Sequence, residues 1–391
     1  MTTIFIIHPD EQHSHYLASA LHSLGYDTRL VTGRDMSQGL IRSIRRSKDL
    51  SEYQVVELMP SLYLIAGLIR KLFKGTFFAR LVYKKYLSAF NMRALSEIKK
   101  IRPDAIVTYD TLSGELIEGV LAYISIPPEI LVDMSGPAYS SYLFNSYDPD
   151  PKREFRYDLE CDAWRFTNSI IEVKRANAFI VASTYTAQGL LSLGVSESKI
   201  HICPYGNKLK NDTRIEDVKH VSYKDKIIKM LFVGNVSMQK GVHKLLSAVS
   251  RINLSTAPYK INLTLVGDPR FFDNSVNRYP WLTMTGRLNR DQVKEAYQNN
   301  VAFVFPSLAD GFGFVVLEAL SFGIPVLCSK YAGASDLIND VNGEVFDPLN
   351  AEDFNDKLEV FIENIVSSRY NSKNVVESVE QYTWETYASS L

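Results

Sequence analysis

Pro306-Ser307-Leu308-Ala309-Asp310-Gly311-Phe312-Gly313-Phe314-Val315-Val316-Leu317-Glu318-Ala319-Leu320 is the stretch that decides how this chain reads. The apolar run Val301–Phe305 before it predicts a buried strand that stops at Pro306. A loop with Asp310 and two glycines follows, and the pattern predicts a helix over Phe314–Phe322. A helix start presents free N–H groups and the positive end of the helix dipole, and glycines let an anion approach the backbone closely. A phosphate, most simply a diphosphate, suits Gly311, Phe312, Gly313, Phe314 and Val315. Glu318 stands about one turn into the helix among apolar neighbours, where a carboxylate is costly without hydrogen-bond donors. The vicinal hydroxyls of a ribose would supply them; the plainer alternative is that Glu318 caps a neighbouring loop and Asp310 is a turn residue. Eight residues of helix rise about 12 Å, a length that suits a nucleotide diphosphate-sugar running from Asp310 to Glu318.

Outward from this stretch, strands and helices alternate in both directions, the rhythm of parallel sheets with crossover helices. Toward the amino terminus the pattern predicts strands at Ile227–Val233, Asn262–Val266 and Trp281–Thr285, with helices at Val242–Arg251 and Arg290–Asn299. Residues 208–226 are polar with little periodicity and read as a linker. Before them a separate cycle has strands at Ile4–Ile7, Asp27–Val31, Ala105–Tyr109, Glu129–Val132, Ala178–Ala182 and Ile200–Cys203. Helices are expected at Tyr16–Leu24, Met92–Lys100, Leu112–Ile124, Phe155–Ala176 and Thr184–Leu193. The expected fold is α/β: two Rossmann-like, doubly wound parallel-sheet domains facing a central cleft, residues 1–207 and 227–370. Ligands belong at the carboxyl ends of the strands.

A second glycine turn, Gly234-Asn235-Val236-Ser237-Met238-Gln239-Lys240-Gly241, also joins a strand to a helix. Its spacing is not that of a P-loop. Lys240 would balance diphosphate charge as a point cation, or stand as an ordinary solvated lysine.

Composition narrows the class. The 391 residues are 46% hydrophobic and 22% charged with net charge −1, which suits a globular chain and gives no sign of a nucleic-acid partner. Three separated cysteines, Cys161, Cys203 and Cys328, form no zinc motif and no disulfide framework, so a reducing compartment is expected. The start reads as a strand rather than a signal peptide, and no apolar run is long enough to span a bilayer. The chain is expected in the cytoplasm. Residues 40–102, however, hold fourteen Lys/Arg against four acids, interleaved with Leu62, Tyr63, Leu64, Ile65, Leu68, Ile69, Leu72, Phe73, Phe77, Phe78 and Tyr83. Such a stretch packs its apolar side on a domain, lies on an anionic membrane surface or, less in keeping with the net charge, meets nucleic acid.

Together these residues resemble the retaining glycosyltransferases of family four, which have the GT-B fold. The hallmark of that family, an acid and a Glu separated by seven residues, stands here as Asp310 and Glu318 in the frame Pro306–Glu318. The likeness extends to Val233-Gly234 with Lys240-Gly241, Thr264–Gly267, Gly286-Arg287-Leu288, Ser321–Val326, Gly333, Asn342-Gly343 and Tyr382-Thr383-Trp384. The amino-terminal half is matched more loosely, best at Glu172–Gly206.

The resemblance implies that Lys240 binds the donor diphosphate, Glu318 the ribose and Asp310 the sugar. Gly313–Val315 would take the phosphates, with Gly234, Asn235, Arg287 and Leu288 around the nucleotide. It implies no cofactor and no metal, a UDP-, GDP- or similar sugar donor, and a glycan or glycolipid acceptor of the O-antigen or capsule type. Residues 371–391 would form a closing helix that returns to the first domain. Three departures stand out: Asn235 where the family carries Arg, Asp310 where it carries Glu, and His8–His15 where it often has a glycine-rich loop. Asp133, His8, His13 and His15 are the candidates for the acceptor side. A GT-B nucleotide binder or scaffold without turnover is the competing reading; a glycan phosphorylase on the same fold is a further one.

Overall fold

The computed structural model describes residues 1–10, 13–34, 53–73, 76–134, 136, 163–207, 226–269 and 279–391. Residues 208–225 of the expected linker 208–226, the basic cluster Arg42–Lys48, Cys161 and the first part of the helix expected over Phe155–Ala176 lie outside them.

The amino-terminal sheet is built from β1 (Thr3–His8), β2 (Asp27–Thr32), β3 (Gln54–Glu57), β4 (Ala105–Tyr109), β5 (Glu129–Met134), β6 (Ala178–Val181) and β7 (Ile200–Ile202). Their spatial order is β3-β2-β1-β4-β5-β6-β7, and every pairing is parallel. The carboxyl-terminal sheet takes β8 (Ile227–Val233), β9 (Lys260–Val266), β10 (Leu282–Gly286), β11 (Ala302–Phe305), β12 (Val326–Ser329) and β13 (Gly343–Phe346). Its order is β10-β9-β8-β11-β12-β13, again all parallel. The strand order reverses between β1 and β4 in the first sheet and between β8 and β11 in the second, and each reversal opens a crevice at the strands' carboxyl ends.

Crossover helices cover both sheets. In the first domain they are α1 (Ser14–Ser23), α2 (Pro60–Leu72), α3 (Phe77–Ile101), α4 (Gly114–Tyr123), α5 (Ala163–Arg175) and α6 (Thr184–Ser192). In the second they are α7 (Val242–Leu254), α8 (Arg290–Gln298), α9 (Phe314–Ser321) and α10 (Ala351–Val366). Central strands such as β6, β11 and β12 are buried at every position, as strands covered on both faces must be.

The chain end differs from expectation. In place of one helix over 371–391 there are two short ones, α11 (Ser372–Glu377) and α12 (Trp384–Ser389). The break has a local cause: Thr383 is extended and its side chain accepts from Thr386 N–H, capping a fresh helix. α12 packs on α1, and Trp384, Tyr387 and Tyr205 join the cores of the two domains into one apolar cluster. Cys203 and Cys328 are buried thiols outside any disulfide.

Candidate active site

The site forms where the loops after β8 and β11 meet. β8 ends at Gly234, whose φ of +149° favours glycine. Gly241 starts α7 in the left-handed region, and a Cβ there would lie 1.9 Å from Pro306 O. Only glycine lets the two loops approach this closely. The contact is fixed by Leu308 N–H donating to Gln239 O at 2.8 Å. It brings the Lys240 ammonium to 2.6 Å from Asp310 Oδ2, above the Phe305 ring.

α9 begins next to this pair. Gly313 is left-handed at φ +87°, and no side chain caps the helix start. Phe314 and Val315, the first residues of this helix, lie on the cleft wall at the positive end of its dipole. One turn on, Glu318 Oε2 accepts from Tyr297 OH at 3.0 Å. Tyr297 is fully buried, and burial together with the Glu318 charge pushes its hydroxyl well above the ordinary tyrosine range. It is therefore a fixed donor that orients the carboxylate. At the far end Arg287 Nη2 donates to Asp268 Oδ2 at 3.2 Å, beside Leu288.

The two loops, the start of α9 and the Arg287–Asp268 pair line a cleft of about 730 Å³, large enough for a nucleotide diphosphate-sugar. Of the residues expected from sequence, Gly234, Asn235, Lys240, Arg287, Leu288, Asp310, Phe312, Gly313, Phe314 and Val315 lie on its wall. Gly311 turns the other way, and its carbonyl accepts from Ser183 Oγ at 2.7 Å and Thr186 Oγ1 at 3.2 Å across the domain boundary. Glu318 lies behind the wall, half-buried.

The amino-terminal domain contributes His13 and Tyr205 to the same wall. His13 Nε2 bonds Asp133 Oδ2 at 2.8 Å. Asp133 is fully buried and also accepts from Tyr205 OH at 2.5 Å and Tyr387 OH at 2.6 Å. Asp133 thus reaches the cleft through His13 and Tyr205 rather than directly. His8, at the end of β1, is buried; desolvation pulls its pKa down to about 4, and its Nε2 has no hydrogen-bond partner. His15 pairs with Tyr53 OH at 2.9 Å, away from the wall. Among the described residues no group of three His, Cys, Asp or Glu side chains could hold a metal ion.

Sequence reading missed Asp268, whose only signal was its place after Gly267, and Glu172. Glu172 is buried and binds Thr111 N–H and the backbone and hydroxyl of Ser113, each at 2.9 Å, fixing the turn after β4. Burial, reinforced by Asp110, raises its carboxyl to about 7.

Two Rossmann-like domains around one cleft make this a GT-B fold. Residues 212–375 match the model of the family described as glycosyl transferases group 1. Among curated proteins, the chain is 24% identical over 331 residues to sulfoquinovosyl transferase SQD2 of Arabidopsis thaliana, covering 78% of this chain and 58% of that protein. It is 28% identical over 217 residues to the capsular polysaccharide biosynthesis glycosyltransferase CapM of Staphylococcus aureus, covering 49% and 55%. These alignments therefore span a little over half of each relative's length. Among solved structures, sucrose-phosphate synthase from Thermosynechococcus elongatus superposes with TM-score 0.70 at 19% identity, covering 100% of this chain and 97% of that one. HepE of Anabaena in complex with UDP and glucose gives TM-score 0.60 at 13% identity, covering 98% and 96%.

Proposed function

We propose that this chain is a retaining glycosyltransferase that moves a sugar from a nucleotide diphosphate-sugar to a hydroxyl of a lipid-linked or cell-surface glycan acceptor. One observation carries the reading: a lysine, a carboxylate and an uncapped helix start converge on one cleft, with a second carboxylate one turn behind. The neighbour that holds UDP and glucose supports the donor class, and the capsular relative supports the acceptor class.

In this reading the donor diphosphate displaces Asp310 from Lys240. Lys240 and the N–H groups of Phe314 and Val315 then carry the charge that develops on the leaving phosphate. Asp310, released, accepts hydroxyls of the sugar, and Glu318 binds the ribose. The acceptor oxygen attacks the anomeric carbon from the face the phosphate leaves. The C–O bond to phosphate breaks, the new glycosidic bond forms, and the acceptor proton passes to the departing phosphate oxygen. Catalysis rests on positioning and on stabilising charge at the leaving group, without a metal ion.

The test is release of nucleoside diphosphate from a panel of UDP-, GDP- and ADP-sugars in excess EDTA. One donor should turn over, and proton NMR of the product should show the donor's anomeric configuration. Lys240→Ala and Glu318→Ala should each lower kcat/KM at least about 100-fold, on the order of 3 kcal/mol. Near-normal rates in both variants would refute the site; binding of one nucleotide without any turnover would leave a nucleotide-binding scaffold.

A further inference from the structure

α2 and α3 form a helical pair whose outer face is apolar. Their contact buries Met59, Ala66, Tyr83, Tyr86 and Leu87, and of α2 itself only Ala66 is fully buried. Leu62, Leu64, Ile65, Leu68, Leu72 and Phe73 on the first helix side stay exposed, as do Phe77, Phe78 and Leu81 at the start of the second. Phe77 is 78% exposed and Leu72 67%. Single exposed apolar residues are ordinary, but nine within twenty positions on one helical pair ask for a partner.

Charge identifies the partner. From Leu58 to Ser96 the chain contains no acid, while Arg70, Lys71, Lys74, Arg80, Lys84, Lys85 and Arg93 fall within it. Lys84 and Lys85 are exposed one turn beyond Leu81 on the same helix, so cations border the apolar crest. A second copy of this chain would bring two such faces together with like charges opposed. An anionic bilayer offers both an apolar interior for the crest and phosphates for its border. Among the described residues no helix is long and apolar enough to cross a membrane.

The pair is also tied to the chain that leads from β1 to His13 on the cleft wall. Tyr83 OH donates to Asp10 Oδ2 at 2.6 Å and Tyr86 OH to Pro9 O at 3.0 Å, so α3 grips the segment that leaves β1 toward His13. We infer that the α2–α3 crest inserts into an anionic lipid surface and sets the mouth of the cleft against the headgroups. The surface stands on its own observations; its purpose, delivery of a lipid-linked acceptor, rests on the proposed function.

The test is co-sedimentation of the full chain with vesicles of phosphatidylcholine alone or mixed equally with phosphatidylglycerol. Binding is expected only to the mixed vesicles, and it should be released in about 1 M salt, where the screening length is about 3 Å. Phe77→Ser with Phe78→Ser should weaken partitioning at least tenfold, as should Lys84→Glu with Lys85→Glu. Both double variants should keep the wild-type thermal shift with the nucleotide that the chain binds, which reports folding and an intact donor site. If no nucleotide shifts the wild type, circular dichroism melting reports folding instead; the donor reading then fails while the vesicle result stands separately. Equal binding to neutral vesicles, no binding at low salt, or unaltered binding by both variants would overturn the inference. So would sedimentation velocity showing a wild-type dimer that the phenylalanine variant dissociates.

Discussion

Lys240 and Asp310 neutralise each other across 2.6 Å while partly screened from water, so any anion entering the cleft competes with the carboxylate. Asp310→Asn removes that competitor. It should tighten binding of free nucleoside diphosphate about fivefold, on the order of 1 kcal/mol, while slowing sugar transfer. Calorimetric titration and steady-state kinetics on one preparation check both arms. Asp133 answers a different need. Its carboxylate is buried with three donors, from His13, Tyr205 and Tyr387, and an Asn would turn an N–H₂ toward one of them. Asp133→Asn should cost about 2–4 kcal/mol in urea denaturation. His8 gives the pH signature. Its folded pKa near 4 lies below the ordinary 6.5, so between pH 6.5 and 4 the unfolded chain takes up a proton that the folded chain refuses. Its contribution is present above pH 6.5, lost as pH falls through that window, and amounts to roughly 3 kcal/mol. His8→Leu should flatten that part of the stability–pH curve.

At the scale of elements, the strand–loop–helix units were legible because their apolar runs are continuous and bounded by turn-forming residues. Ala105–Tyr109 and Ile227–Val233 coincide with the sequence reading. The edge strand Gln54–Glu57 was missed because no fully buried residue marks it. Of the 25-residue helix Phe77–Ile101, only Met92–Lys100 was expected, since the aromatic and β-branched residues of its first half carry weak helix preference. Among site residues, the cleft wall could be read from the loops flanking Gly234 and Gly313. The cluster around Asp133 could not, because its partners come from positions 13, 205 and 387, which only the folded topology brings together. The close approach of the two loops gives a further prediction. Gly241→Ala places a methyl against Pro306 O in a left-handed conformation, which should cost about 1–2 kcal/mol or more and weaken nucleotide binding.

The two domains also meet beside the loop after β11. Asp336 accepts from Thr184 N–H at 2.7 Å and Thr184 Oγ1 at 2.6 Å, while Ser183 holds Gly311 O beside Asp310. The amino-terminal domain therefore touches the loop that carries Asp310. Asp336→Ala should widen the distribution of domain separations, read as a larger radius of gyration by small-angle scattering. Donor affinity should change little, because none of its ligands is removed.

The donor site is the centre of this account, and calorimetric titration of UDP, GDP and ADP in EDTA against wild type and Glu318→Ala tests it most directly. The account predicts that one nucleotide binds the wild type and loses at least about tenfold in affinity, about 1.4 kcal/mol, when Glu318 is replaced. Binding of none of them, or equal binding by both proteins, would contradict it.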